Sequence, residues 1–467
     1  MTVRRRLSAA ACLLLAGCTL APRYERPAAP VATSWPTGAA YAADYAGLPS
    51  ASYRDLFGDD RLQKLIALAL ENNRDLRQAA ANIERARAQY RVQRAALPPQ
   101  VNAGADVSTG SASGAPVANN ASADISVTAY ELDLFGRLRS LSDAARNSYL
   151  ASEADAQTVR LSLIGTLAQA WLGYAADKSL LDLSVATAQT AGRSVELTQA
   201  RLSGGVAPRT DLRQAQTILA TAQSDTARYT TAIAQDRNLI ELLVGAPVDA
   251  ALLPEAIETA GERIAVPANS TGTDVLLRRP DVMAAEYNLR AANAQIGAAR
   301  AALFPRITLG ALIGLVGPSL ERLFGDAGRE VSQGSAGASY SVFQGGAARA
   351  NLAASKAQRD ALLAAYEKAI QTAYRETADA LARLGTIDKQ TAADRLRTEA
   401  AKDAWELAEA RYRGGIDSFL QALDAQRSYY AAQRTLVATQ LEAASNRVTL
   451  YRALGGEAAA GTPAPAN

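Results

Sequence analysis

The stretch Arg411-Tyr412-Arg413-Gly414-Gly415-Ile416, followed by Leu420, Asp424 and Arg427, has a counterpart about 210 residues upstream. That counterpart is Arg201-Leu202-Ser203-Gly204-Gly205-Val206, followed by Asp211. In each copy an alanine-rich helical pattern runs into Gly-Gly and a second helical pattern leaves it, which is the turn of a helical hairpin. A chain of 467 residues that makes this hairpin twice is one large duplicated unit rather than a string of unrelated domains.

Outward from the turns the two halves follow one grammar. From about Arg61 to Leu97 the residues Leu62, Leu65, Ile66, Ala69, Leu70, Leu76 and Ile83 recur at spacings of three and four, predicting a helix that Pro98-Pro99 ends. Between Val101 and Asp133 the period changes toward two, predicting two strands of about ten residues around a polar loop, roughly 109–121. Gly136 opens a proline-free helical run to Ser203, which would reach about 100 Å at 1.5 Å per residue. Pro208 starts a further helix that ends at Gly245, and a proline-rich connector follows. In the second half a helix is expected from Asp274 to Leu303, strands at Ile307–Val316 and Ser335–Phe343, a long helix from Gly345-Gly346 to Arg413, and a last helix from about Asp417 to Leu454. The expected divisions are therefore a leader 1–17, an extended proline-rich arm 18–60, a first repeat 61–245, a connector 246–273, a second repeat 274–455 and a disordered tail 456–467.

Along the last helix Ile416, Leu423, Tyr430, Val437, Ala444 and Tyr451 recur every seven residues, with Leu420, Leu441 and Val448 on the adjoining stripe. This is a coiled-coil seam, which makes Tyr430 and Tyr451 core residues rather than ligand contacts. A hairpin this long buries no globular core alone and has to pack against neighbours.

Composition removes whole classes of function. Positive and negative charges nearly cancel and are dispersed, so no basic patch points to nucleic acid. The chain has no histidine, and both cysteines fall within the first eighteen residues. The remainder holds no disulfide, no Cys/His zinc site and no Ser-His-Asp triad. An enzyme is the least favoured class, and no cofactor is expected.

The N-terminus pairs Arg4-Arg5-Arg6 with an apolar segment, Leu7 to Ala16, that is too short to span a bilayer. Leu15-Ala16-Gly17-Cys18 resembles the lipobox of bacterial lipoproteins, which implies cleavage before Cys18 and acylation of Cys18 as the lipid attachment residue. Thr19 replaces the aspartate that holds such lipoproteins in the inner membrane, so the resemblance favours the outer one. No later apolar run reaches about 18 residues, so any spanning falls to the strands. Two copies supply four strands of membrane length, whereas a spanning barrel closes at eight or more because an open edge is intolerable in lipid. Several chains must then share one barrel: two would give eight strands and three would give twelve.

A resemblance to the outer membrane factors of bacterial efflux systems, in their lipoprotein branch, rests on particular residues. The most specific are Arg279-Pro280-Asp281, Ala285-Glu286, Leu289, Ala292-Asn293-Ala294, Ile296-Gly297-Ala298-Ala299-Arg300 and Phe304-Pro305. Phe57-Gly58-Asp59-Asp60, Asp133-Leu134-Phe135-Gly136-Arg137 and Leu423-Asp424-Ala425-Gln426-Arg427 support it. The resemblance implies a mainly α fold with transmembrane β: a trimeric twelve-stranded outer-membrane β-barrel, four strands per chain, continued by a long periplasmic α-helical barrel. It implies an exit duct for drugs or other small molecules, working with a periplasmic adaptor and an inner-membrane RND-type pump and touching outer-membrane lipid. The outer channel of a type I protein secretion system, which shares the architecture, is the alternative. A pore-free coiled-coil lipoprotein is a third.

The family's gate carries over to Leu420, a hydrophobic constriction, and to Asp424, an acidic ring about a threefold axis, with Arg427 as a supporting ion pair. Some relatives have a second aspartate three positions before Asp424, where this chain has Gln421, so one acidic ring is expected. The plain reading of Asp424 is a solvated carboxylate paired with Arg427 three residues on. Gly204, Gly205, Gly414 and Gly415 are expected at the periplasmic mouth, and Asp211 is a helix-start acid favoured by the dipole.

Overall fold

Two α-helices of equal length, Arg137–Ser203 and Ala347–Arg413, each of 67 residues, set the long dimension of the chain. Each starts behind a glycine in the left-handed region, Gly136 (φ 73°) and Gly346 (φ 87°), where a side chain would be strained. Each ends in the same pair of bonds: the Val206 N–H donates to Arg201 O and that of Ile416 to Arg411 O, both 2.9 Å, while Gly205 and Gly415 donate three residues back at 3.0 Å. With Gly205 and Gly415 both at φ 74°, these are two Schellman turns of one geometry.

The structure is a computed structural model that describes residues 19–41, 52–110, 118–267, 272–325 and 328–456. In chain order its main elements are α1 (Asp60–Asn72), α2 (Arg74–Ala95), β1 (Val101–Gly110), β2 (Ala118–Glu131), α3 (Arg137–Ser203) and α4 (Arg209–Val244). The second half contributes α5 (Pro280–Ala301), β3 (Arg306–Gly317), β4 (Arg329–Ser339), α6 (Ala347–Arg413) and α7 (Phe419–Ala453). Cys18, the centre of the hairpin loop between β1 and β2, and most of the tail lie outside the described residues.

Two helices expected to be continuous are broken. The first splits at Asn73 (ψ 136°), whose Oδ1 accepts from Leu76 N at 3.1 Å while its Nδ2 donates to Leu243 O at 2.9 Å. Asparagine at this position satisfies the start of α2 and ties it to α4, which outweighs one more helical residue. The second splits at Arg279: a 3-10 segment, Thr273–Arg278, precedes it, and Pro280 at the first helical position holds Arg279 extended (ψ 136°). Strand β4 begins at Arg329 and stops at Ser339, earlier at both ends than its composition suggests. Its limits follow its partner, because β3 pairs along its length from Arg306↔Ser339 to Val316↔Arg329. The last helix starts at Phe419 rather than Asp417, and Ile416 is exposed in the turn, outside the seam that Leu423, Ala444, Val448 and Tyr451 bury.

The four strands form one antiparallel sheet in the order β1-β2-β3-β4, so β2–β3 pairing joins the two repeats. Paired residues share a face. One face carries Val101, Ala103 and Val107 of β1, Ala123, Ile125 and Val127 of β2, and Ala311, Ile313 and Leu315 of β3. Strand β4 continues it with Ala338, Ala336 and Gly334 before Ser332 and Glu330 end it. The other face carries Asn102, Asp106, Ser122, Asp124, Ser126 and Gln333, with Leu312, Val316 and Val331 among them. Val101, Val107, Ile125 and Ile313 are each 60–68 % exposed in the single chain. An apolar face left to the surroundings beside a polar one is the alternation of a lipid-facing strand. Among the described residues no helix is long and apolar enough to cross a membrane.

The main core lies midway along the helices, where the connector wraps around them. Phe57, Leu62, Leu65, Ile66, Trp171, Leu172, Ile240, Ile257, Ile264 and Val448 are buried there. The Trp171 indole donates to Leu252 O at 3.1 Å, and Phe57 bridges Ile264. A second core joins Leu289, Tyr366, Ile370, Leu381 and Leu450, with Trp35 stacked on Tyr374 at 5.5 Å.

Candidate channel gate and its supports

The tip of the second repeat is built from Phe419, Ala422 and Leu423, which bury against Tyr412 and Ala215. Aromatic and cationic contacts lock this small core: the Tyr412 and Phe419 rings lie 4.9 Å apart, and Arg201 of the first turn stands 4.6 Å over Tyr412. Across the second turn Arg411 grips Asp417 through two hydrogen bonds of 2.5 and 3.0 Å, holding that carboxyl below the usual range. The Gly-Gly turns thus share a backbone and differ in chemistry. Val206 and Ile416, at the same position of each, both point to solvent.

On the opposite side of the same helical turns the chain points the expected gate residues outward. Leu420 is 49 % exposed, and Arg427 Nη1 lies 3.5 Å from Asp424 Oδ1 with both side chains largely in water. Such a pair contributes at most about 1 kcal/mol, so it does not hold Asp424 in place. The structure brings Leu420, Asp424 and Arg427 to one groove of about 730 Å³ between α4 and α7, facing Gln214, Thr217, Ile218 and Thr221.

Above the groove lies a residue that sequence reasoning missed. Asp225 of α4 is buried and accepts from Tyr430 Oη at 2.8 Å, with Arg228 at 3.2 Å and Arg434 at 3.4 Å. Burial, then the Asp225 carboxylate, push the Tyr430 hydroxyl above its usual range, so it remains a donor. The signal was present: Leu212, Ala215, Ala222 and Tyr229 form the buried stripe of α4, and Asp225 interrupts it. Tyr430, read as a seam residue, is half-buried and carries this bond.

The block from Arg279 to Arg300 turns out to be a socket. The Arg279 guanidinium, buried among Asp281 (2.8 Å), Glu376 (2.9 Å) and the carbonyl of Ala453 (2.9 Å), closes the end of α7 onto the start of α5. Glu286, 1 % exposed, accepts from Tyr24 (3.2 Å), Arg26 (3.0 Å) and Arg290 (2.7 Å). Asn293 donates to Pro22 O at 2.7 Å and Arg300 to Leu20 O at 3.1 Å, while a Cβ on Gly297 would stand 2.6 Å from that of Ala21. The N-terminal arm therefore lies along α5. Its first described residue, Thr19, lies against Gly136 at the junction of sheet and helices.

Comparison with known proteins follows the same outline. A family described as outer membrane efflux protein matches residues 65–246 and 272–456. The solvent efflux pump outer membrane protein SrpC of Pseudomonas putida is 42 % identical over 464 residues, covering 96 % of this chain and 97 % of that protein. Outer membrane protein OprJ of Pseudomonas aeruginosa is 39 % identical over 453 residues, 95 % of this chain and 94 % of its own. Among solved structures, the open state of the Neisseria gonorrhoeae MtrE outer membrane channel superposes with a TM-score of 0.84 at 35 % identity, covering 94 % of this chain and 98 % of that one.

Proposed function

The chain belongs to the outer membrane efflux protein family, and we propose that three copies form one passive exit duct that crosses the outer membrane and continues as a helical tube. The observation that carries this reading is the pair of free sheet edges, β1 and β4, on a four-stranded sheet with one apolar face. An edge of unpaired N–H and C=O groups is not tolerated in lipid. An even number of antiparallel strands lets β4 of one copy pair antiparallel with β1 of the next, so the sheet closes on itself. Three copies give twelve strands, as the family resemblance implies.

In this arrangement Cys18, one residue before the sheet-proximal Thr19, carries the lipid anchor. The Gly204-Gly205 and Gly414-Gly415 turns form the periplasmic mouth, where a periplasmic adaptor and an inner-membrane RND-type pump dock. The duct itself does no chemistry. Solvents, the cargo for which SrpC is named, and other small molecules fit a channel without a specific binding site. Leu420 and Asp424 form the gate: three leucines narrow the passage and resist wetting, and three carboxylates concentrate cations. Asp424→Ala is expected to raise single-channel conductance in planar bilayers and to weaken block by multivalent cations. If conductance and block both stay at wild-type values, the gate assignment is wrong.

A further inference from the structure

We infer that the membrane end of α2 is a binding surface for anionic phospholipid, with Arg91 and Arg94 gripping headgroup phosphates of the leaflet that faces the periplasm. The inference rests on the reading of the four-stranded sheet as part of an outer-membrane barrel, and it adds a contact with the lipid surface below that barrel.

The duplication locates these two residues. Helices α2 and α5 match end to end at an offset of 206 residues, so Arg91 and Arg94 stand where α5 has Gly297 and Arg300. On α5 that stripe seats the N-terminal arm: Gly297 lies against Ala21, and Arg300 donates to Leu20 O at 3.1 Å. Leu20 is two residues beyond Cys18, at most about 7 Å of chain from the lipid attachment. The bilayer surface therefore runs at the level of Arg300, and Arg94 occupies the matching level of α2. An arm tethered to lipid runs along the outside of the tube, so the equivalent stripe of α2 faces outward as well. Arg91 and Arg94 are both exposed, and neither has a hydrogen bond or ion pair among the described residues.

The protein supplies no carboxylate for them. Glu84 goes to Arg87 at 2.7 Å, Glu131 to Arg137 at 2.7 Å and Asp133 to Arg139 at 3.3 Å, while Asp143 has Arg146 one turn on. A neighbouring copy brings none: α6, which covers α2 in the proposed ring, carries Arg349, Lys356 and Arg359 before its first acid, Asp360, about 20 Å along the helix. Closing the ring thus adds positive charge at this level. Residues three apart share a helix face, and the forked donors of two guanidiniums match phosphate oxygens. The chain turns tightly beyond them, with Ala96 and Leu97 donating to Gln93 O and Arg94 O at 3.3 and 3.0 Å. Val101, the first residue of the apolar sheet face, follows seven residues after Arg94. Cations placed directly below a lipid-facing surface are complementary to a leaflet with negative headgroups.

The test uses the full-length assembled protein in detergent and counts bound lipid by native mass spectrometry, with phosphatidylglycerol and phosphatidylcholine supplied at equal concentration. The wild type is expected to hold phosphatidylglycerol in at least about fivefold excess, the change that one basic residue brings at an anionic surface. Arg91→Gln combined with Arg94→Gln is expected to lose that excess, and Arg91→Lys with Arg94→Lys to keep most of it. Arg209→Gln with Arg213→Gln, exposed cations at the opposite end of the wall, should leave it unchanged. Equal binding of the two lipids by the wild type overturns the inference, as does an excess that survives the Arg91 and Arg94 glutamine pair or that the Arg209 and Arg213 pair also removes. Bilayer conductance separates this result from the barrel reading. A conducting wild type with no preference for phosphatidylglycerol removes the lipid surface alone, whereas a wild type that forms no conducting pore removes the barrel and the lipid surface with it.

Discussion

Helices α2 and α5 occupy the same place in the two repeats and have opposite surroundings. Each has 22 residues, follows a single extended residue, and stops ahead of a proline and a strand. Yet α5 buries thirteen of its residues while α2 buries only Ala86, the position 206 residues before the buried Ala292. The cause is neighbours. Helix α5 lies between α3 and α6 beneath the N-terminal arm, whereas α2 packs on α3 and shows its other side to solvent. Duplicated sequence with unequal burial means that the chain is a fragment of a ring: in the proposed trimer α6 of the next copy covers α2 as α6 of the same chain covers α5.

The contrast can be broken at matched positions. Leu289→Ala, in the covered helix, is expected to cost about 2–5 kcal/mol in thermal or denaturant unfolding of the detergent-solubilised chain, whereas Ile83→Ala, its counterpart in α2, costs about 1 kcal/mol or less until the trimer forms. Equal losses in the separated chain would mean that α2 is covered from within. Next come the two breaks. Arg279→Ala removes three charged or carbonyl partners and is expected to cost about 3 kcal/mol, against about 1–2 kcal/mol for Asn73→Ala, measured by the same unfolding curves.

The smallest effect compares the hairpins by pH. Burial and the neighbouring Asp177 push the Asp236 carboxyl up to about 6, while the positions 210 residues on are Ile387 and Asn446. A folded-state pKa above the unfolded 3.8 means that the unfolded chain ionises first as pH rises. The pair therefore subtracts stability progressively from about pH 4, fully above about pH 6. Asp236→Asn should raise the melting temperature at pH 7.5 and leave it near wild type at pH 4, whereas a constant offset at both values would point to packing instead.

Much of the scaffold was legible because it is periodic. The two 67-residue helices, the strand pairs and the Gly-Gly turns follow from unbroken spacing, prolines and glycines. Chain breaks at Asn73 and Arg279 were not read because each depends on distant partners, Leu243 for one and Ala453 and Glu376 for the other. The bounds of β4 belong to β3, since its Gly/Ser/Ala composition carries no alternation of its own. Leu420, Asp424 and Arg427, expected on one helix face, do line one groove, but periodicity alone assigned Tyr430 to the core and passed over Asp225. A polar residue inside an apolar stripe shows its partner only when the second helix is in place.

The seam between β2 and β3 also sets an order in time. Its first pair, Ala121 and Gly317, lies nearly 200 residues apart, whereas each helical hairpin closes through a turn of a few residues. Contacts that close long loops form late. The helices should therefore be protected in pulsed hydrogen exchange before the β2–β3 seam, and a seam protected first would contradict this order. A chain that folds so raises its columns first and stitches its two strand pairs into one sheet last.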